Sequence, residues 1–389
     1  MPDNLLNHIP TLFNAPDPDF EWQPTTDEIA AAVELNTLNS FRLQFRRLRT
    51  IFRSFTGILR AGPVDLAGIP GWAETHRERY LEQVQTLTPG REFEKIPADI
   101  RIVTYFDPLY PPHLKELYDP PPVLYIRGDH EFDLRSSIAI VGTRNLSDYG
   151  RTSTEMFSWQ LASWGFTIIS GGARGIDSAA HHAAIDSGGK TAAVLGCGID
   201  VVFPSENRKL FQEIPESGAL VSEFPMGTIP EKYNFPARNR IIAGLSRGIL
   251  VTEAPEKSGA LITTDLGMQL GREIYAVPGR LTDGRSKGTN LLIQDGAHVV
   301  LDPSDIPVSL GMTILESENV TIDNPLQLDG DEALVYESVS LEPVDIDQLV
   351  HELGIPAQRL LSAILVLQTR GLVKELPGSR FVRPVNRPK

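Results

Sequence analysis

From residue 137 onward, short apolar runs ending in glycine alternate with stretches of helical period. "SIAIVGTR" (137–144), "FTIISGG", "TAAVLGCG", "ALVSEFP", "GILVTEA" and "EIYAVPG" read as strands. Between them, 148–164 repeats its apolar positions at helical spacing with Gly165 placed to stop it, and "DSAAHHAAIDSGG" reads as a helix closed by two glycines. Strands this uniformly apolar are buried on both faces, which predicts a parallel sheet covered by helices: a doubly wound, Rossmann-like α/β domain.

The flanks follow other patterns. Residues 1–25 are rich in Pro, Asp and Asn without periodicity and read as a mobile arm. From Thr26 the period is helical, and "FRLQFRRLRTIFRSF" places Phe41, Phe45, Leu48 and Phe52 on one face, with Arg42, Arg46, Arg49 and Arg53 on another. A small helical domain over 26–95 is expected, with "LAGIPGWAETHRERYLEQV" resembling SAM-like or helix–hairpin–helix units. Residues 96–134 are so dense in proline that a continuous helix or a central strand is not expected there. They read as a wrapped lead-in to a Rossmann-like domain spanning 96–305. An acidic linker over 306–330 then leads to three helices and a hairpin turning at "PGS" in 331–389, the outline of a winged helix. Its candidate recognition helix offers only Arg359 and Arg370 as cations, which favours a protein-contact or structural role over DNA reading.

Charge changes the picture through its distribution. The net charge is −14, but 1–134 holds 13 basic and 20 acidic residues, 135–300 holds 16 of each, and 301–389 holds 7 and 14. Only the neutral middle can form a local positive groove without opposing the charge around it. No apolar run approaches the roughly 20 residues that span a bilayer, and the N-terminus lacks a basic, signal-like start, so no membrane association and a cytoplasmic location are expected. The single cysteine, Cys197, has no Cys or His neighbour at metal-ligand spacing, so neither a metal nor a disulfide is expected.

Candidate chemistry concentrates where strands end. In an open α/β sheet, ligands bind beyond the carboxyl ends of the strands, and "VGTR", "SGGARG" and "VPG" belong to that edge. The amides of "SGGARG" can turn into one concavity ahead of a helix N-terminus, which with Arg144 and Arg174 points to an anion. A dinucleotide fingerprint is missing: after the first strand the chain reads "GTRNLSDYG". There is no Walker loop either, so no nucleotide cofactor is expected. Asp177 reads as a cap of the following helix, and His181 and His182 as facing core or solvent rather than acting in catalysis. "PEKYNFPARNRIIAGLS" crowds Lys232, Arg238 and Arg240 around Tyr233 and Phe235. Cations beside aromatic rings suit a single strand of nucleic acid, whose phosphates pair with the charges while unstacked bases lie on the rings.

The ordered motifs "VGTR", "SGGARGIDSAAH", "VLGCGIDVVFPSEN", "LVSEFPMG", "FPARNRIIAGLS", "VTEAPEKSGALIT", "GREIYAVPG" and "GTNLLIQDGA" resemble those of the DprA/Smf DNA-processing protein family over roughly 135–300. The resemblance implies a Rossmann-like, single-stranded DNA-binding homodimer that protects incoming DNA and loads the RecA recombinase during natural transformation. It implies no catalytic residue and no cofactor. It places DNA contacts on Gly142, Thr143 and Arg144, on Gly171, Gly172 and Arg174, on Asn207, and on Lys232, Phe235, Arg238 and Asn239, with Phe235 stacking a base and Arg144 and Lys232 holding phosphates. One departure is "FPSEN", where the family often carries a basic residue and this chain has Ser205 followed by Glu206. The alternative from another class is a phosphoribohydrolase-like enzyme on a related fold, whose P-G-G-x-G-T-x-x-E loop is not matched by "VPGRLTDGRSKGTN".

Overall fold

The computed structural model describes residues 25–88, 90–128, 136–312, 328, 330–339, 344–370, 372–376 and 378–382. The arm expected at 1–25 lies, apart from Thr25, outside the described residues, as does 313–327 of the expected linker. The chain forms two compact units. The described part of the first runs to Lys95 and takes in Ile102–Tyr110 and Pro121–Val123, and the second contains the rest.

The first unit is built from α1 (Thr26–Asn36), α2 (Asn39–Ile51), α3 (Phe55–Arg60), α4 (Pro63–Ala67) and α5 (Glu74–Gln85). The apolar face read from the sequence is its core: Phe41, Phe45 and Leu48 are fully buried, and Phe45 stacks on Phe55 with ring centroids 5.8 Å apart. The buried Glu28 carboxylate accepts the Phe55 N–H at 2.7 Å and the Thr56 N–H at 3.2 Å, satisfying amides that α3 leaves open at its N-terminus.

Two strands arise where the prolines argued against them: β1 (Ile100–Thr104) and β2 (Val123–Gly128), with the short helix α6 (Pro112–Lys115) between. The reason is local. Pro112 opens a helix, and Pro120, Pro121 and Pro122 all precede the first residue of β2, so no ladder donor is lost.

The doubly wound domain follows as β3 (Ser137–Val141), α7 (Asp148–Ser163), β4 (Thr167–Ser170), α8 (Ile176–Asp186), β5 (Thr191–Val194), α9 (Arg208–Ser217) and β6 (Gly218–Ser222). It continues through α10 (Asn234–Gly244), β7 (Gly248–Val251), α11 (Gly259–Gln269), β8 (Glu273–Ala276), α12 (Lys287–Gln294), β9 (His298–Val299) and α13 (Asp305–Ser309). The sheet order is β1-β2-β6-β5-β4-β3-β7-β8-β9. From β6 to β9 every pairing is parallel, whereas β2 runs antiparallel to β6. β3, β4, β5 and β6 step in one direction and β7 returns to the other side of β3, with Ala139 opposite Ile249, which makes a switch point between β3 and β7. Ile138, Ile140, Phe157, Leu161, Ile168 and Leu250 pack one apolar core, and Ile306 of α13 closes it, so the chain is still part of this domain where a linker was expected to begin.

The C-terminal helices α14 (Asp331–Ser338), α15 (Ile346–Leu353) and α16 (Ala357–Thr369) enclose a separate apolar core, with β10 (Val344–Asp345), β11 (Lys374–Leu376) and β12 (Arg380–Val382) in the order β10-β12-β11. This is the expected winged helix with one additional short strand. Both of its candidate DNA-reading cations meet carboxylates: Arg359 forms a two-bond pair with Asp331 at 2.7 Å, and Arg370 lies 3.4 Å from Glu332.

Candidate nucleic-acid interface

Because β3 to β9 run parallel, the loops after β3, β4, β5 and β8 leave the sheet at one edge, as expected for the three glycine corners. The first corner, 142–144, is tied across the switch point: Thr143 donates its N–H to the Glu253 carbonyl at 2.8 Å, and its own carbonyl accepts from Ile176 N–H at 3.1 Å. Ser147 caps α7 by accepting the Gly150 N–H at 2.9 Å, and the buried Glu253 carboxylate in turn accepts the Ser147 N–H at 2.8 Å and hydroxyl at 2.6 Å. Gly142 and Thr143 are therefore structural parts of the corner. Arg144 is exposed, and its guanidinium lies 5.4 Å from the centroid of the Phe235 ring, within cation–π range.

The second corner does turn its amides inward, but the anion it holds is its own. Asp177 Oδ2 accepts the N–H of Gly171 at 3.1 Å and of Ala173 at 3.3 Å. The expectation that Asp177 caps α8 is corrected here: the N-cap position is Gly175, and the carboxylate reaches back to the loop instead. Gly175 has φ +86°, and a Cβ there would stand 2.3 Å from the Thr143 carbonyl oxygen, so only glycine lets the two corners meet.

Arg238 faces this carboxylate from α10. It is 4% exposed and donates to the carbonyls of Gly171, at 2.7 Å, and Val194. Burial raises the Asp177 carboxyl above its usual range and lowers the Arg238 guanidinium to about 10, while each group's charge opposes the other's shift. Asn207, also buried, donates to the Gly172 carbonyl and the Ser178 hydroxyl, each at 2.9 Å. Four residues expected to touch DNA, Gly171, Gly172, Asn207 and Arg238, thus form one internal hydrogen-bonded network that shapes the edge.

The solvent side of the edge carries Arg144, Arg174 and Lys232, all exposed, with Asn239 half-buried on α10. Arg174 is paired with Glu206 at 3.2 Å, the acidic residue of the departing "FPSEN" segment. Arg240 is held by two bonds to the buried Glu223, at 2.8 and 2.7 Å. Phe235 is half-buried: a Cβ on Gly196 would stand 2.8 Å from its ring, and Phe203 lies 5.6 Å away at a 40° tilt. Phe203 itself is 40% exposed. Sequence reasoning did not single it out; the signal lay in an aromatic following β5 on the ligand-binding edge.

His181 is fully buried, with its ring Nδ1 2.7 Å from the Thr191 hydroxyl, and burial lowers it to about 3. His182 is exposed. The buried Cys197 thiol, raised to about 11 by desolvation, donates to the Val201 carbonyl at 3.3 Å.

The profile of the DNA recombination-mediator protein A family matches residues 101–311, and that of the DprA winged helix domain matches 323–379. Protein Smf from Synechocystis is 35% identical over 376 residues, 87% of this chain and 94% of that protein. The crystal structure of DNA processing protein A from Streptococcus pneumoniae covers 74% of this chain and 98% of its own, with TM-score 0.60 and 35% identity. A DNA processing protein A from Helicobacter pylori, whose structure concerns a single-stranded DNA binding mode, covers 54% of this chain and 95% of its own at TM-score 0.50 and 31% identity.

Proposed function

Given that the chain belongs to the DprA/Smf family of DNA recombination-mediator proteins, we propose that it grips single-stranded DNA along the carboxyl edge of its parallel sheet. The observation that carries this reading is the juxtaposition of exposed cations and aromatic surface at one edge: Arg144 over the Phe235 ring, Phe203 beside it, and Lys232 and Arg174 on the neighbouring loops. Phosphates would pair with the cations and unpaired bases would lie on the rings, which a base held inside a duplex cannot do. The family membership supports a role in DNA processing during recombination. We extend it to a homodimer that shields an incoming strand and delivers it to the RecA recombinase in natural transformation.

The buried carboxylates of this edge favour binding over hydrolysis, since both Asp177 and Glu253 direct their oxygens to protein donors rather than outward. The test is competition: a labelled oligothymidylate should be displaced by unlabelled single strand far more readily than by duplex of the same length. Equal displacement by both forms refutes the reading. With two cations available and a third paired to Glu206, the slope of log affinity against log salt should be about −1.4 to −2 per protomer. RecA delivery is tested separately, by whether the protein speeds RecA filament formation on a strand already coated with a single-strand-binding protein.

A further inference from the structure

We infer that the amino edge of the parallel sheet holds a second binding site, one for a small organic anion that presents a carboxylate or a phosphate ester. The site does not rest on the single-strand reading, because its cavity lies where β7 and β8 begin rather than where they end. The cavity has a volume of about 420 Å³, within the roughly 300–1,000 Å³ of small-molecule sites. Arg247 and Arg272 line it together with His113, Ser246 and Glu273.

The cations stand there for a reason that the fold supplies. Helices α10, α11 and α13 all end at this edge, at Gly244, Gln269 and Ser309, and the last carbonyls of a helix find no partner within it. Arg247 donates to the Leu310 carbonyl at 3.0 Å, and Arg272 reaches the Gly244 carbonyl at 3.5 Å. Glu116 holds Arg272 from a second side at 3.2 Å, and only 12% of the Arg272 side chain is exposed. A guanidinium fixed in this way loses little freedom when an anion docks, and its planar fork matches the oxygens of a carboxylate or a phosphate alike. Arg272 meets both of these partners through Nη2, while its Nε is buried without a hydrogen-bond partner.

The carboxylates nearby are drawn to other groups. Glu116 lies between Arg272 and His113, whose Nδ1 is 3.4 Å from its Oε1. Glu273, the one carboxylate among the described lining residues, lies 2.9 Å from His298 on β9. Two guanidinium side chains therefore share a cavity large enough for a sugar phosphate or a small dicarboxylate.

The experiment is a calorimetric titration of the full chain with ribose 5-phosphate and, separately, with succinate. Saturable binding of either probe supports the site, and the tighter of the two distinguishes phosphate ester from carboxylate. Arg247→Gln and Arg272→Gln are each expected to weaken binding about 10- to 150-fold. A saturating oligothymidylate should leave the titration unchanged, and loss of probe binding in its presence would overturn the inference. So would the absence of saturable binding to the folded wild-type chain, or affinity that both glutamine variants retain. Thermal melting without probe shows whether each variant folds, and Glu273→Gln gives a reading that keeps both arginines. Removing that lining carboxylate should tighten binding about 2- to 5-fold, and an unchanged affinity would place the anion elsewhere and overturn the assignment.

Discussion

The Asp177 carboxylate receives the N–H of Gly171 at 3.1 Å, so the glycine corner that reads as an anion cradle is already filled from within. With Ala173 as its second donor, Asp177 fixes the shape of that corner from within the protein.

Asp177 and the buried Arg238 are expected to be coupled through their charges. Asp177→Asn, which removes the negative charge near Arg238, should destabilise the second unit. The double variant Asp177→Asn with Arg238→Met should lose less than the sum of the two single changes. Denaturant titrations of the four proteins measure this, and strictly additive losses would show that the two groups do not sense each other.

Arg144 and Arg238 should separate cleanly. Arg144→Ala touches an exposed side chain and should leave stability within about 0.5 kcal/mol, while weakening single-strand binding by about 1.5–3 kcal/mol. Arg238→Ala should instead lower the melting temperature. Parallel melting and oligonucleotide titrations check both halves of the statement.

Glu206 should act as a competitor for the strand, because it neutralises Arg174 where a phosphate would otherwise pair. An exposed pair is weak because solvent screens it, so the ion pair yields readily. Glu206→Gln is expected to tighten binding by about 2- to 5-fold and to steepen the salt slope by about 0.7, one added contact. A slope unchanged from wild type would mean that Arg174 faces no phosphate.

His181 should make the second unit acid-sensitive. Its imidazole, ordinarily near 6.5, is held down to about 3 by burial, so the folded state excludes a proton that the unfolded chain accepts. The stabilisation is complete above pH 6.5 and is lost as pH falls toward 3, at about 1.4 kcal/mol per pH unit. Urea titrations between pH 6.5 and 5 should show this slope, and His181→Asn should reduce it by one proton's worth.

The order of strands and helices was written in period and punctuation: apolar runs of β-branched residues ending in glycine can only be the buried strands of a covered parallel sheet, and the Phe41–Leu48 face is a core by spacing alone. Local pattern also located the glycine corners and the cation-rich opening of α10. It missed β1 and β2, because proline density says what a residue cannot donate but not where the strand begins. Nor could it tell which arginine faces water. Arg144, Arg174 and Arg238 look alike in the chain, and only the three-dimensional packing made one of them a buried partner of Asp177, paired another with Glu206 and laid the third across Phe235. Burial and pairing depend on what residues distant in sequence bring to the same place, and no local pattern encodes that.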